Sequence, residues 1–181
     1  QYYEKSLNMQ LNIYGHTEHP EIARSYNNMA SAYKSLGDDM KALQHHEKGL
    51  NMGLNIYGHK DDPNIADTYN DLATVYRLMS DYSKALEYYE TSLNIRLSIY
   101  KRTDHPDIAS SYNNLAGVYH SQGDYSKALQ YYEKSLNMRL NIYGQTGHPD
   151  IARSYNNMAS VYHSQGDRNK ALQYFKKSLN K

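Results

Sequence analysis

Apolar residues line one side of a helical wheel at Ile108, Tyr112, Leu115, Ala116 and Tyr119, and again at Ala128, Leu129, Tyr132, Leu136, Leu140 and Tyr143. Spacings of three and four residues are those of an amphipathic α-helix. Between the two stripes stands Gly123-Asp124, where the polypeptide must leave one helix before it enters the next. Pro106 takes the first helical position, where a missing N–H is harmless and a fixed φ suits the helix. The pattern predicts a helix A from Pro106 to near Gln122 and a helix B that stops at Gly144. So short a turn makes A and B antiparallel neighbours, and a Gly-x-x-x-His-Pro link of about six residues returns the chain for the next A.

The same pattern is written four times. Pro20, Pro63, Pro106 and Pro149 lie 43 residues apart, and 25 of the 33 positions from Pro106 to Met138 recur unchanged from Pro149 to Lys181. Self-similarity at such a period marks a solenoid, in which each unit buries its apolar face only by stacking on its neighbours. The expected fold is all-α, a right-handed superhelical solenoid of antiparallel helix hairpins with about nine helices. Its units run 1–18 (helix B only), 19–61, 62–104, 105–147 and a shortened 148–181, joined into one continuous domain. Because Gln1 to Tyr14 copies Gln130 to Tyr143 with one change, the chain is expected to begin inside a unit and to be part of something longer. Ala30, Ala73, Ala116 and Ala159 in A, with Ala42, Ala85, Ala128 and Ala171 in B, mark where helices approach most closely. The second unit has Ser80-Asp81 at the turn, so its A helix should end less favourably.

Tyr112-x2-Leu115-Ala116-x2-Tyr119, followed by Ala128-x3-Tyr132, resembles the tetratricopeptide repeat pattern, with Tyr in place of Trp and Ala in place of Gly. The longer unit, the Asn113-Asn114-Leu115-Ala116 run, the Gly123-x-Tyr125-x2-Ala128 turn and the His-Pro before helix A look like the repeats of kinesin light chains and nephrocystin-3. That resemblance covers the whole chain. It implies a protein-interaction scaffold that takes a peptide or protein segment in a concave groove lined by helix A.

The A positions outside the apolar stripe are then groove candidates: Arg24, Asn27, Ser31 and Lys34; Asp67, Asn70, Thr74 and Arg77; Ser110, Asn113, Gly117 and His120; Arg153, Asn156, Ser160 and His163. An asparagine amide both donates and accepts, so Asn27, Asn70, Asn113 and Asn156 suit the backbone of an extended peptide. The resemblance implies that role for these four. Interhelix or solvent bonding is the competing reading. Arg24, Lys34, Arg77 and Arg153 would favour acidic side chains. His120 and His163 would add charge near pH 6.5, tightening acidic ligands at pH 6. The neighbouring Asn28, Asp71, Asn114 and Asn157 are read as structural, bridging A to the following unit.

Composition changes this picture only by exclusion. Net charge is +1 with both signs interspersed, which argues against nucleic acid and membrane partners. No stretch has the length or hydrophobicity of a membrane span or signal peptide, and a cytoplasmic, intracellular location is expected. The absence of cysteine removes disulfides and thiolate chemistry. Of nine histidines, His19, His105 and His148 belong to the links, and the adjacent His45 and His46 cannot share a helix face as metal ligands would. Tyrosine is abundant, 21 against one Phe, and most fall on packing positions; the pairs Tyr88-Tyr89 and Tyr131-Tyr132 are expected to be exposed. No nucleophile and base converge, so neither enzyme activity nor a cofactor or metal is expected. Two alternatives remain: end-to-end self-association through the terminal helices, where Tyr3, Leu7, Leu11 and Tyr14 need cover, and a spacer or sensor arm of a larger nucleotide-switch protein.

Overall fold

The computed structural model describes residues 2–15, 17–58, 61–101, 103–144 and 147–179, and among these there are nine helices and no strand. The helices are α1 (Tyr2–Tyr14), α2 (Pro20–Ser35), α3 (Asp39–Tyr57), α4 (Pro63–Leu78), α5 (Tyr82–Ile99), α6 (Pro106–Ser121), α7 (Tyr125–Tyr143), α8 (Pro149–Ser164) and α9 (Arg168–Leu179). The all-α class and the A/B alternation follow the apolar periodicity. A helices are α2, α4, α6 and α8. The chain divides into two compact units, Gln1–Ile95 and Arg96–Lys181.

Each helix boundary has a local cause. His19, His105 and His148 cap the helices that follow: Nδ1 of each accepts from the backbone N–H two residues on, at 3.2 Å. Their rings stack on Tyr14, Tyr100 and Tyr143 at centroid distances of 3.4 to 3.6 Å, which ties the link to the end of the preceding B helix. Asp62 does the same capping with its carboxylate, accepting from Asn64 and Ile65. At the A/B turn Gly123 is left-handed (φ 78°), and Asp124 N–H donates to Tyr119 O at 2.9 Å, closing helix A in a Schellman motif. Asp124 then caps helix B by accepting from Lys127 N–H. Ser80 has to adopt the same left-handed conformation (φ 62°) with a Cβ, as its position in the repeat implied.

In the first unit α2 and α3 form a hairpin, α1 lies against α2, and α3 packs on α4. In the second, α6 pairs with α7, α8 with α9, and α7 packs on α8. Ala30, Ala42, Ala116 and Ala128 are fully buried. The core of the second unit gathers Tyr132, Leu136, Ile151, Met158 and Val161 around Ala116 and Ala128.

The tyrosines have a recurring task. Two rings one heptad apart on an A helix clasp one aromatic ring of its B helix: Tyr69 and Tyr76 on Tyr88, Tyr112 and Tyr119 on Tyr131, Tyr155 and Tyr162 on Tyr174, and Tyr26 and Tyr33 on His45. A lysine four residues before the clasped ring lies over the second tyrosine, for example Lys127 at 5.0 Å from the Tyr119 centroid, a cation–π contact. The expectation of exposed tyrosine pairs is therefore corrected: Tyr88 and Tyr131 are clasped, while Tyr89 and Tyr132 are buried. The apolar face of α1 is also partly covered, because Leu7 and Leu11 pack on Ile22 and Met29 of α2.

Candidate functional site

The polar sides of the A helices are cross-linked within each unit. In the first, Asn27 Nδ2 donates to Thr68 Oγ1 of α4 at 2.8 Å, and Thr68 Oγ1 donates to Asn64 O at 2.8 Å. Those two bonds orient the amide, leaving Asn27 Oδ1 to accept from His46 Nδ1 at 3.2 Å. In the second, Asn157 Nδ2 donates to Asn113 Oδ1 at 2.8 Å, and His120 Nε2 lies 3.0 Å from Ser164 Oγ. Asn156 Oδ1 accepts from Ser178 Oγ of α9 at 2.7 Å.

Asn27, Asn113 and Asn156 thus each place at least one polar atom on a neighbouring helix. Asn70 is half-buried at the same helical position. Asn157 does bridge two repeats, but to the preceding A helix instead of the following one. Among the basic candidates, Arg24 is paired with Glu21, and Arg153 Nη2 lies 2.8 Å from Asp150 Oδ1. Lys34 and Arg77 are half-buried. His163 is exposed. Burial pushes His120 below the ordinary histidine range, so the expected gain of charge near pH 6.5 is displaced to lower pH there.

Three of the groove candidates, Arg24, Asn27 and Asp67, meet in one cleft of about 280 Å³ between α2, α3 and α4. Gly49 and Gly53 form part of its wall on α3, with Thr68 and Asp71 on α4. Gly49 is required by the asparagine link, since a Cβ there would stand 2.5 Å from Asn27 Oδ1. At the corresponding place in α5 and α7 are Ser92 and Ser135, whose hydroxyls donate to Ala66 O and Ala109 O at 2.7 Å.

Residues that sequence reasoning passed over lie deepest. Arg96 and Arg139 are 7% and 1% exposed, buried beneath the helix A that follows each. Arg139 Nη1 donates to Asp150 O at 3.1 Å and Ser154 Oγ at 2.6 Å, and Arg96 Nη1 makes the same pair of bonds to Asp107 O and Ser111 Oγ. The available signal was a strongly charged residue recurring 43 positions apart inside the apolar stripe of helix B.

Residues 21–98, 64–141 and 107–180 match the tetratricopeptide repeat family. A search of curated proteins finds no match. Among solved structures, BtubC (BKLC) from P. vanneervenii superposes with a TM-score of 0.82 at 25% identity, over 97% of this chain and 68% of that one. A putative kinesin light chain of Podosopora anserina with nearly identical TPR-like repeats gives 0.78 at 22% identity, over 97% and 82%. MamA gives 0.63 at 20% identity, over 97% and 84%. Arrays of this kind are in general protein-interaction scaffolds. With the repeat matched from residue 21 to residue 180 and the fold shared with a kinesin-light-chain-like structure, the chain belongs to the tetratricopeptide repeat family.

Proposed function

We propose that the chain binds an extended peptide or protein segment along the polar side of its A helices. The observation that carries this reading is the cleft between α2, α3 and α4, where Arg24, Asn27 and Asp67 come together although 43 residues separate the first from the last. Asparagine amides are suited to hold the ligand backbone, Asn113 and Asn156 in the second unit as Asn27 and Asn70 in the first. An acidic preference rests chiefly on Lys34, Arg77 and His163, because Arg24 and Arg153 already face carboxylates one turn away.

The test is selection from a random peptide display library on the 181-residue chain, with Asp67→Ala and Asn113→Ala/Asn156→Ala as parallel targets. A motif enriched on the parent and lost on one of the variants supports the reading. No enrichment on a folded parent, or enrichment unaffected by either variant, rejects it. A second reading, self-association through α9, draws on Leu172, Phe175 and Leu179, which are 55%, 38% and 79% exposed. Sedimentation from low to high concentration decides it, a constant monomer mass counting against it.

A further inference from the structure

The helix B position occupied by Arg96 and Arg139 is Gly53 in α3 and Gln10 in α1. Three of these four helices therefore send a long polar side chain from this point; α3 sends none. The residues that receive the guanidinium in the second unit nevertheless have counterparts in the first. Thr68 stands where Ser111 and Ser154 accept from Nη1, and Asn64 stands where Asp107 and Asp150 present a backbone carbonyl. Tyr57 matches Tyr100 and Tyr143. Gly53, Tyr57, Asn64 and Thr68 all line the cleft of about 280 Å³. A Cβ added to Gly53 would meet nothing nearer than Ile65 Cγ1, at 3.8 Å, so the path that the arginine takes elsewhere is open here.

The charges of the wall differ at three positions, and at one of them the cleft is the less acidic, Asn64 standing where the filled repeats have Asp107 and Asp150. Burial, and then the nearby Arg153, lower the pKa of Arg139 against the opposing pull of Asp150, and its Nη2 is buried without a partner. In the cleft the position of Arg153 is held by Asp67 and that of Asn157 by Asp71, while Arg24 enters the wall together with its partner Glu21. Glu21, Asp67 and Asp71 give the cleft three carboxylates against one arginine, Arg24, where no resident arginine exists. Thr68 Oγ1 accepts from Asn27 and keeps a second lone pair, and the Asn64 carbonyl, which accepts from Thr68 Oγ1, is placed like Asp107 O and Asp150 O, each of which accepts a serine hydroxyl and Nη1 together.

We propose that the cleft between α3 and α4 receives an arginine side chain of the bound polypeptide, whose guanidinium takes the place that Arg96 and Arg139 fill from within. This rests on the reading that the A-helix side binds a protein segment, and it names the ligand chemistry at this cleft, apart from the Lys34 and Arg77 positions, as basic. A planar fork can donate at once to Thr68, to the Asn64 carbonyl and to a carboxylate; an ammonium group on a lysine stem lacks that geometry.

The test is ¹⁵N NMR titration of the whole chain at pH 7 with N-acetyl-arginine amide, using the citrulline and lysine analogues as neutral and non-planar controls. Saturable shifts at Gly53, Asn64 and Thr68 are expected with arginine, weaker by about tenfold with lysine and absent with citrulline. Asp67→Asn should weaken arginine binding about tenfold. Gly53→Arg should fill the cleft from within, abolish the shifts and raise the thermal midpoint. If that variant does not fold, Thr68→Val, which removes an acceptor at constant shape, should lose binding. No saturable shift with arginine, or equal shifts with citrulline, overturns the proposal. Arginine binding without any peptide enriched in display leaves the slot standing and removes the wider groove; enriched peptides that lack arginine and bind Gly53→Arg unchanged do the reverse.

Discussion

Acidification should destabilise the first unit through one side chain, His46. It is fully buried in α3, donates from Nδ1 to Asn27 Oδ1, and has an Nε2 with no hydrogen-bond partner. Protonation would place a new N–H at Nε2 with nothing to accept it, near Lys34 and His45. Burial, then Lys34 and His45, push its pKa down to about 4 from the usual 6.5. The folded value lies below the unfolded one, so the unfolded chain holds more protons between the two. The stability is therefore complete above about pH 6.5 and declines as pH falls toward 4. Between pH 7.5 and pH 5 the loss works out at about 2 kcal/mol. The reference is His46→Tyr, which copies Tyr89 and Tyr132 at the same repeat position and does not titrate in this range. Urea unfolding followed by circular dichroism at both pH values gives the comparison, with hydrogen exchange at α2 and α3 locating the change. Carboxylates elsewhere titrate alike in both proteins and cancel in the difference. A parent and variant whose stabilities shift by the same amount, within about 0.5 kcal/mol, would refute the argument.

Three further outcomes follow from the same structure. Ser80→Gly removes a side chain from a left-handed turn residue and should raise stability by about 0.5 to 1 kcal/mol, seen as a higher urea midpoint at unchanged slope. Ala128→Leu overpacks the contact with α6 and should cost about 1 to 3 kcal/mol in the same assay; a neutral result would mean that the hairpin can open to admit it. Arg139→Met keeps the aliphatic stem and relieves a buried charge with an unpartnered Nη2, so it should stay within about 1 kcal/mol of the parent, whereas Arg139→Ala should lose about 2 kcal/mol or more.

The helices and their boundaries were legible because each is set by local chemistry. Proline at the first turn, glycine or serine at the left-handed residue and aspartate at the next cap are all neighbours in sequence, and the structure closes them with bonds spanning two to five residues. Even the exception was legible, since Ser80 differs from Gly37, Gly123 and Gly166 at one position of the repeat. The tyrosine clasps were less so. Helical spacing puts Tyr112 and Tyr119 on one side, but only the packing of α6 on α7 shows that Tyr131 fills the gap and is not displayed to solvent.

The cleft escaped sequence reading for a different reason. A periodic pattern draws attention to what recurs, and the informative residue in α3 is the one that departs: Gly53, where a side chain is missing, together with Gly49, where a hydroxyl is replaced by the amide of Asn27. Each change is small, and a glycine within a helix reads as a modest loss of stability. Its meaning depends on two other elements, α2, which supplies the amide that Gly49 admits, and α4, which supplies Thr68 and two carboxylates. Near-identical copies make the comparison possible, because the second unit shows what a filled position looks like. In such an array the copies define the structural role, and a departure that leaves the surrounding acceptors in place marks where a ligand can substitute for the chain itself.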